Sequence, residues 1–246
     1  MSSSGTGGSG FLLGIALAIG LIVSAFIVSD TIKTVKMQGQ VIEVKGYAEK
    51  KIKSDLAIWQ ASFQRYSADQ VSAYAQLEED LAHVISFLGS KGINSEDIEV
   101  SAVQANPQYK LNEKGYSTNI IDGYVLSQNI KVQSTDMEKI SDISRTSSVL
   151  IKQGLSFDTY PPRYLFTKLD DLKIEMLGAA TEDAKNRAVQ LAEKSGSKVG
   201  SLKSARQGVF QITPANSTEV SDYGMYDVSS IEKTIKAVVT IEYGIR

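Results

Sequence analysis

Residues 11–28 form an uninterrupted apolar run whose most polar member is Ser24, and no other segment constrains the chain so strongly. Eighteen residues at ~1.5 Å each make a helix of about 27 Å, close to the roughly 30 Å hydrocarbon thickness of a bilayer. Such a run spans a membrane or is removed as a secretory signal. A signal peptide begins with a positively charged stretch, and residues 1–10 contain no Lys or Arg. The run also continues through Phe26, Ile27 and Val28, past the small-residue site at Val23, Ser24 and Ala25. A retained transmembrane anchor is the better reading. Gly14, Ala16, Ala18 and Gly20 supply small-xxx-small pairs suited to close helix packing in the membrane. The flanking charges Asp30, Lys33, Lys36 and Lys45 favour the cytoplasm for the chain beyond the run, whereas an N-terminal span doubles as an export signal. Local charge and position therefore conflict.

Residues 29–246 are enough for one large domain or two small ones. With 26 Lys plus Arg against 28 Asp plus Glu, the net charge of −2 gives no electrostatic reason to seek nucleic acid, whose binding depends on neutralising phosphates. The chain has no Cys and one His, which excludes thiol chemistry, iron–sulfur clusters and Cys/His zinc sites. No calcium-loop pattern is present, so neither a metal nor another cofactor is expected.

The Gly/Ser-rich residues 1–10 read as a disordered tail, and residues 29–38 as a short polar linker that keeps the domain within ~35–40 Å of the bilayer. Residues 56–66 alternate as a strand, with Trp59, Ala61 and Phe63 on one face. Ser67 and Gln70 then form a capping box for a helix whose apolar stripe is Val71, Tyr74, Leu77, Leu81, Val84, Ile85 and Leu88. Strands follow at 98–103 and 124–132, separated by a long polar hairpin over residues 106–122. Another capping box at Thr135 and Glu138 opens a helix to about Ile151. The strand at 154–166 is broken by Pro161 and Pro162, which implies an edge or a bulge. The longest helix follows Thr167, with Leu169, Leu172, Met176, Leu177, Ala180, Ala184, Ala188, Leu191 and Ala192 on its buried face. Strands at 199–212 and 231–243 complete the pattern.

Ser67 and Thr167 open similar helices, each between a preceding strand and a following pair. The expectation is an α+β fold of two duplicated β-α-β-β units, about 55–133 and 154–244, with antiparallel sheets and long amphipathic helices, within a domain over 39–246.

No catalytic constellation is visible. His83 lacks a polar partner nearby in sequence and reads as a surface residue. Asp170 and Asp171 suit the first turn of a helix, and Glu78, Glu79 and Asp80 read as a solvated face. The glycines at 5, 7, 8 and 10 follow no strand and so do not make a phosphate loop. Asn216, Ser217 and Thr218 match a glycosylation acceptor, relevant only on a eukaryotic secretory route. The two polar loops carry Tyr109, Tyr116, Tyr223, Met225 and Tyr226, side chains favoured at contact surfaces.

Several segments resemble the SIMPL-domain family, the group that includes bacterial oxidative-stress-defence and periplasmic immunogenic proteins. The likeness lies in Gly92-Ile93 with Asp97-Ile98 and Ser101, in Pro107-x-Tyr109, and in Gly123-Tyr124-Val125-x-Ser127-Gln128-x-Ile130-x-Val132. The longest helix adds Ala179, Ala180, Asp183, Ala184, Arg187, Ala188, Leu191 and Ala192, followed by Gly196 and Gly200. Val44-Lys45-Gly46, Ala57-Ile58-Trp59 and Phe166-Thr167-x-Leu169 look like its membrane-anchored branch. The resemblance implies an exported bacterial domain, anchored in the inner membrane with its soluble part in the periplasm. It also implies duplicated topology and assembly into large ring-like homo-oligomers, and it brings no established activity and no catalytic residues. The expected function is a non-enzymatic envelope protein with a structural or stress-protective role. The alternative is a module that captures a peptide, lipid or small ligand through its polar hairpins.

Overall fold

The computed structural model describes the backbone of residues 7–38 and 40–246; the side chains of residues 7–13, 16 and 33–39 lie outside the description. The elements in chain order are helix α1 (Gly7–Gln38), strands β1 (Val41–Lys53) and β2 (Leu56–Ser67), helix α2 (Gln70–Ser90), and strands β3 (Ile98–Val100), β4 (Gln104–Leu111) and β5 (Ser117–Ser134). Helices α3 (Met137–Thr146) and α4 (Val149–Lys152), strands β6 (Ser156–Thr159) and β7 (Arg163–Leu165), and helix α5 (Leu169–Lys194) come next. Strands β8 (Val199–Gln207), β9 (Gln211–Pro214), β10 (Met225–Tyr226) and β11 (Glu232–Ile245) end the order. The fold is α+β with antiparallel-rich sheets; the parallel pair is β9 with β10.

Two compact units partition the chain: one takes the described residues up to Ala48 with Ile174–Val209 and Ala237–Arg246, the other Glu49–Lys173 with Phe210–Lys236. The second unit holds a six-stranded sheet of order β3-β5-β2-β6, in which β4 also pairs with β5 and β7 with β2. Its spine is the ladder from Ala57 opposite Ser134 to Ser67 opposite Tyr124. Because side chains alternate across a strand, this register sends Ala57, Trp59, Ala61 and Phe63 to the same face as Leu126, Ile130 and Val132. Ala73, Leu77, Val84 and Leu88 of α2, together with Ile140 and Ile143 of α3, bury that face.

The buried stripe of α2 is shifted from the expected one. Val71, Tyr74 and Ile85 are exposed, while Ala73 and Asp80 face the sheet. The small Ala73 side chain lets the helix approach closely, and Asp80 has a partner there. Arg65 Nε and Nη2 donate to the Asp80 carboxylate at 2.5 and 2.7 Å, a bidentate pair whose acid is 2% exposed. Asp80 is therefore not part of a solvated face. The helix starts also differ. Asp69, not Ser67, caps α2 by accepting from Ser72 N, and Asp136, not Thr135, caps α3 by accepting from Lys139 N. Thr167 stands before α5, where its amide and hydroxyl both donate to Asp55. The helix expected over 135–151 breaks after Thr146. The Thr146 and Ser147 hydroxyls bond back to Asp142 O and Ser144 O, which bends helices.

The second sheet has the order β1-β11-β9-β10, with β8 also on β11. In the first unit, α5 lays the alanine row Ala180, Ala184, Ala188 and Ala192 on this sheet, while Leu191 of the expected face is exposed. Gly46 of β1 permits the contact: a Cβ there would collide with Ala180 O and lie 2.7 Å from Ala184. The expected strand over 199–212 is divided at Gly208 into β8 and β9.

Strands β6 and β7, expected to open the second repeat, hydrogen-bond to β2 in the six-stranded sheet. The repeat boundaries 55–133 and 154–244 therefore do not coincide with the compact units. At the N-terminus, α1 covers Gly7 to Gly10 of the expected tail and the whole expected linker, which contains no Gly or Pro to stop it. Residues 1–6 lie outside the described residues. Among the described residues no helix is long and apolar enough to cross a membrane, and the side chains of Phe11, Leu12, Leu13 and Ala16 in the apolar run are not among them.

Two substitutions test this packing. Arg65→Ala leaves the enclosed Asp80 carboxylate without its partner and is expected to cost about 3–5 kcal/mol. Gly46→Ala forces α5 off β1 and is expected to cost ~1–3 kcal/mol. Urea unfolding measures both; a loss below ~0.5 kcal/mol in either would contradict the packing described.

Candidate functional site

The polar hairpin expected over residues 106–122 is the distal part of a two-stranded ribbon. Strands β4 and β5 continue past the end of β2 and close through a turn in which Gly115 N donates to Asn112 O and the Asn112 side chain accepts from Lys114 N and Tyr116 N. At the root, Gly123 lies beneath Tyr66, whose ring carbon would meet an added Cβ at 2.8 Å, and the Tyr66 hydroxyl donates to Asp122 O. Beyond that point β5 has left β2 and keeps only β4. A two-stranded ribbon is marginal in water by itself. This one exposes Tyr109, Leu111, Tyr116, Ile120 and Ile121, with Tyr109 opposite Ile121. Sequence reasoning found the two tyrosines; it missed Leu111, Ile120 and Ile121 because it ended the flanking strands at 103 and 124 and read the hairpin between them as polar. At the ribbon's base a cleft of about 400 Å³ is lined by Val71, Tyr74, Val103, Ala105 and Leu126.

The second loop, after β9, is held by three polar anchors. Gln211 Nε2 donates to Ser221 O at 2.6 Å and its Oε1 accepts from Ser221 N. Lys236 Nζ donates to Ser217 O. Asp227 accepts from Ser229 N and Oγ, from Ser230 N and Oγ, and from Lys233 Nζ at 3.0 Å. Lys233 is fully buried and also donates to Ser230 O. Burial pushes the Asp227 carboxyl upward, but the Ser229 and Ser230 hydroxyls, the Ser229 amide and the Lys233 ammonium outweigh it and hold the group well below the usual carboxylate range. The anchored loop presents Tyr223, which is 97% exposed, with Met225 half-buried and Tyr226 exposed on β10. Asn216 has a positive φ of 65° in the turn after Pro214.

The two tyrosine groups are not on one sheet: Tyr109 and Tyr116 belong to the ribbon of the six-stranded sheet, Tyr223 and Tyr226 to the loop and strand beside β9. Gly14, Ala18 and Gly20 lie exposed on α1, and the Ala16 side chain is outside the described set. His83 is on the exposed side of α2, and Asp170 sits in the first turn of α5 with Lys173 Nζ at 3.6 Å. Among the described residues no group of three or more His, Asp or Glu could hold a metal ion. The charged groups that are enclosed, Asp80, Asp227 and Lys233, are all spent on one another or on Arg65 and the backbone. The D-x-S-S run at Asp227 was a legible turn signal that pointed to the second cluster.

A carboxyl whose folded pKa lies below its unfolded value stabilises the fold above about pH 4 and stops doing so only as the pH falls through the folded value. Asp227→Asn should therefore reduce stability at neutral pH and flatten its decline on acidification. Asp227→Ala, which strands Lys233, should cost about 3–5 kcal/mol. Chemical unfolding from pH 7 to pH 2 checks both; an Asp227→Asn curve parallel to the parent's at every pH would show that Asp227 is not tuned by this cluster.

No curated protein matches this chain. The family model of SIMPL, a protein of unknown function (DUF541), matches residues 42–243, from the first residues of β1 to the last turn of β11. With nearly the whole α+β portion covered, the chain belongs to the SIMPL family.

Proposed function

We propose that this SIMPL protein is a non-enzymatic, membrane-anchored component of a bacterial envelope, whose domain lies outside the cytoplasm and self-assembles through its β-ribbon. The observation that carries the reading is the ribbon: both of its strands are exposed, and five large apolar or aromatic side chains project from a marginal element that needs a partner to be worth its ordering. The cleft at the ribbon's base, where Gln70 is the one polar side chain among apolar and aromatic ones, is a seat for it on a neighbouring copy, and a head-to-tail contact of that sort makes a ring when its rotation closes. The apolar run over 11–28 and the exposed Leu17, Ile19, Leu21 and Phe26 of α1 support the anchor. Gly14 and Gly20 leave open space around the same helix for a second one. The family resemblance supports export to the periplasm, a structural or stress-protective role, and descent of the two halves by duplication. Tyr223 on its anchored loop favours a second reading, capture of a peptide, lipid or small ligand at that loop.

Native mass measurement of the full chain in mild detergent is expected to give one discrete multimer. Replacing residues 109–122 by an Asn-Gly turn, which joins the paired Gln108 and Gly123, should dissociate it without unfolding the domain, as a retained cooperative melt would report. A monomeric parent, or an unchanged multimer after ribbon removal, would sink ribbon-mediated assembly. For the anchor, the full chain should stay in the membrane pellet after alkaline extraction, with an intact mass that includes residues 11–28; a mature chain starting near Phe26 would show a cleaved signal instead.

A further inference from the structure

The edge of β1 carries a hydrogen-bonding demand that α5 meets at Tyr47. Among the described strands β1 has a single neighbour, β11. Ile245 N donates to Gln40 O and Ser54 N to Ile231 O, with the same separation on both strands, so even-numbered residues of β1 direct their backbone groups toward β11. Odd-numbered residues direct theirs outward. Tyr47 N does so, and there the Asp183 carboxylate of α5 takes the place of a strand carbonyl at 2.8 Å. Asp183 is itself fixed by Arg187 Nε at 2.8 Å. Two residues earlier and four residues earlier, the outward N–H and C=O of Lys45 and Glu43 face a groove of about 610 Å³ between this edge and α5. Its far wall is Asn186, Arg187, Gln190 and the exposed Leu191. A free strand edge beside a helix-walled groove is the arrangement in which an extended peptide adds as a further strand, bound by main-chain hydrogen bonds and sorted by alternate side chains.

We propose that β1 binds an extended peptide strand of Glu-x-Lys chemistry, antiparallel to itself, in this groove. The charge pattern selects the occupant. Glu43 and Lys45 are both exposed and stand on the same sheet face. An antiparallel strand reading acid-x-base from its N-terminus places its acid opposite Lys45 and its base opposite Glu43, whereas the reversed order sets like charges opposite each other. Asp183 marks the end of the site, because the next outward amide is already taken. The groove volume lies within the range of ligand clefts, roughly 300–1,000 Å³. The site is independent of the ribbon, so its failure leaves the assembly reading untouched, and the reverse.

The test uses the full chain in mild detergent and three labelled heptapeptides: Thr-Val-Glu-Val-Lys-Val-Thr, its charge-reversed partner Thr-Val-Lys-Val-Glu-Val-Thr, and the first peptide with alternate amides N-methylated. Fluorescence anisotropy should show the first binding roughly five- to tenfold more tightly than the second, because two opposite-charge cross-strand contacts replace two like-charge ones. The N-methylated peptide should not bind. Amide exchange at Glu43 and Lys45 should slow on binding. In the Glu43→Lys/Lys45→Glu double variant the preference should invert; both side chains are exposed, so folding is checked by circular dichroism alone. Equal binding of all three peptides, no binding of the first, or a preference that does not invert would each overturn the proposal. So would protection that misses Glu43 and Lys45.

Discussion

The pairing of β2 with β5 is the element on which the second unit depends. β3 and β4 attach to the free edge of β5, and β6 and β7 to the free edge of β2, so no strand of that sheet is placed without the central ladder. A slip of one residue would turn Trp59, Ala61 and Phe63 outward and bring Gln60, Ser62 and Gln64 into the core. The ladder is long enough, from Ala57 to Ser67, that every alternate pair penalises the slip. The ribbon is the cost of this arrangement. Strand β5 is longer than β2, and its excess length leaves the sheet at Gly123 with only β4 for company.

Two enclosed charge clusters add specificity to this hydrophobic frame. Arg65 on β2 and Asp80 on α2 join the sheet to the helix with fixed geometry, which a Leu–Leu contact would not impose. Lys233 and Asp227 play the same part between β11 and the loop before it. Removing Arg65 or Asp227 leaves an enclosed ion, Asp80 or Lys233, which makes these contacts sensitive far beyond their net contribution. Their chemistry is internal.

The alternations that define β2, β5 and β11, and the four-residue alanine spacing of α5, were plain in the sequence because a period of two or 3.6 survives any tertiary context. The errors share one cause: local signals that several arrangements satisfy. Val71, Tyr74 and Ile85 extend the apolar stripe of Leu77, Val84 and Leu88 on one side as readily as Ala73 does on the other, and only the position of the sheet and of Arg65 decides between them. Ser67 and Thr167 both look like helix caps, yet one ends a strand and the other is claimed by Asp55. A buried Asp80 cannot be told from a solvated one when its partner lies fifteen residues away on another element. Of the candidate contact residues, the tyrosines were legible as types. The grouping of Leu111, Ile120 and Ile121 with them required knowing that the strands run on to the turn.

The pairing of β1 with β11 governs when the domain can be finished. Gln40 meets Ile245, so the earliest strand waits for the latest, and closing a loop of about two hundred residues must precede any reward from that contact. Strands β6 and β7 impose a lesser delay on β2. Until the distant segments arrive, β1 has both edges open and the alanine row of α5 has β1 but not β11 beneath it. A nascent chain in this state offers extended, alternating segments to any partner nearby. For such a topology, a route that keeps the chain unfolded until synthesis is complete carries less hazard than folding as it emerges.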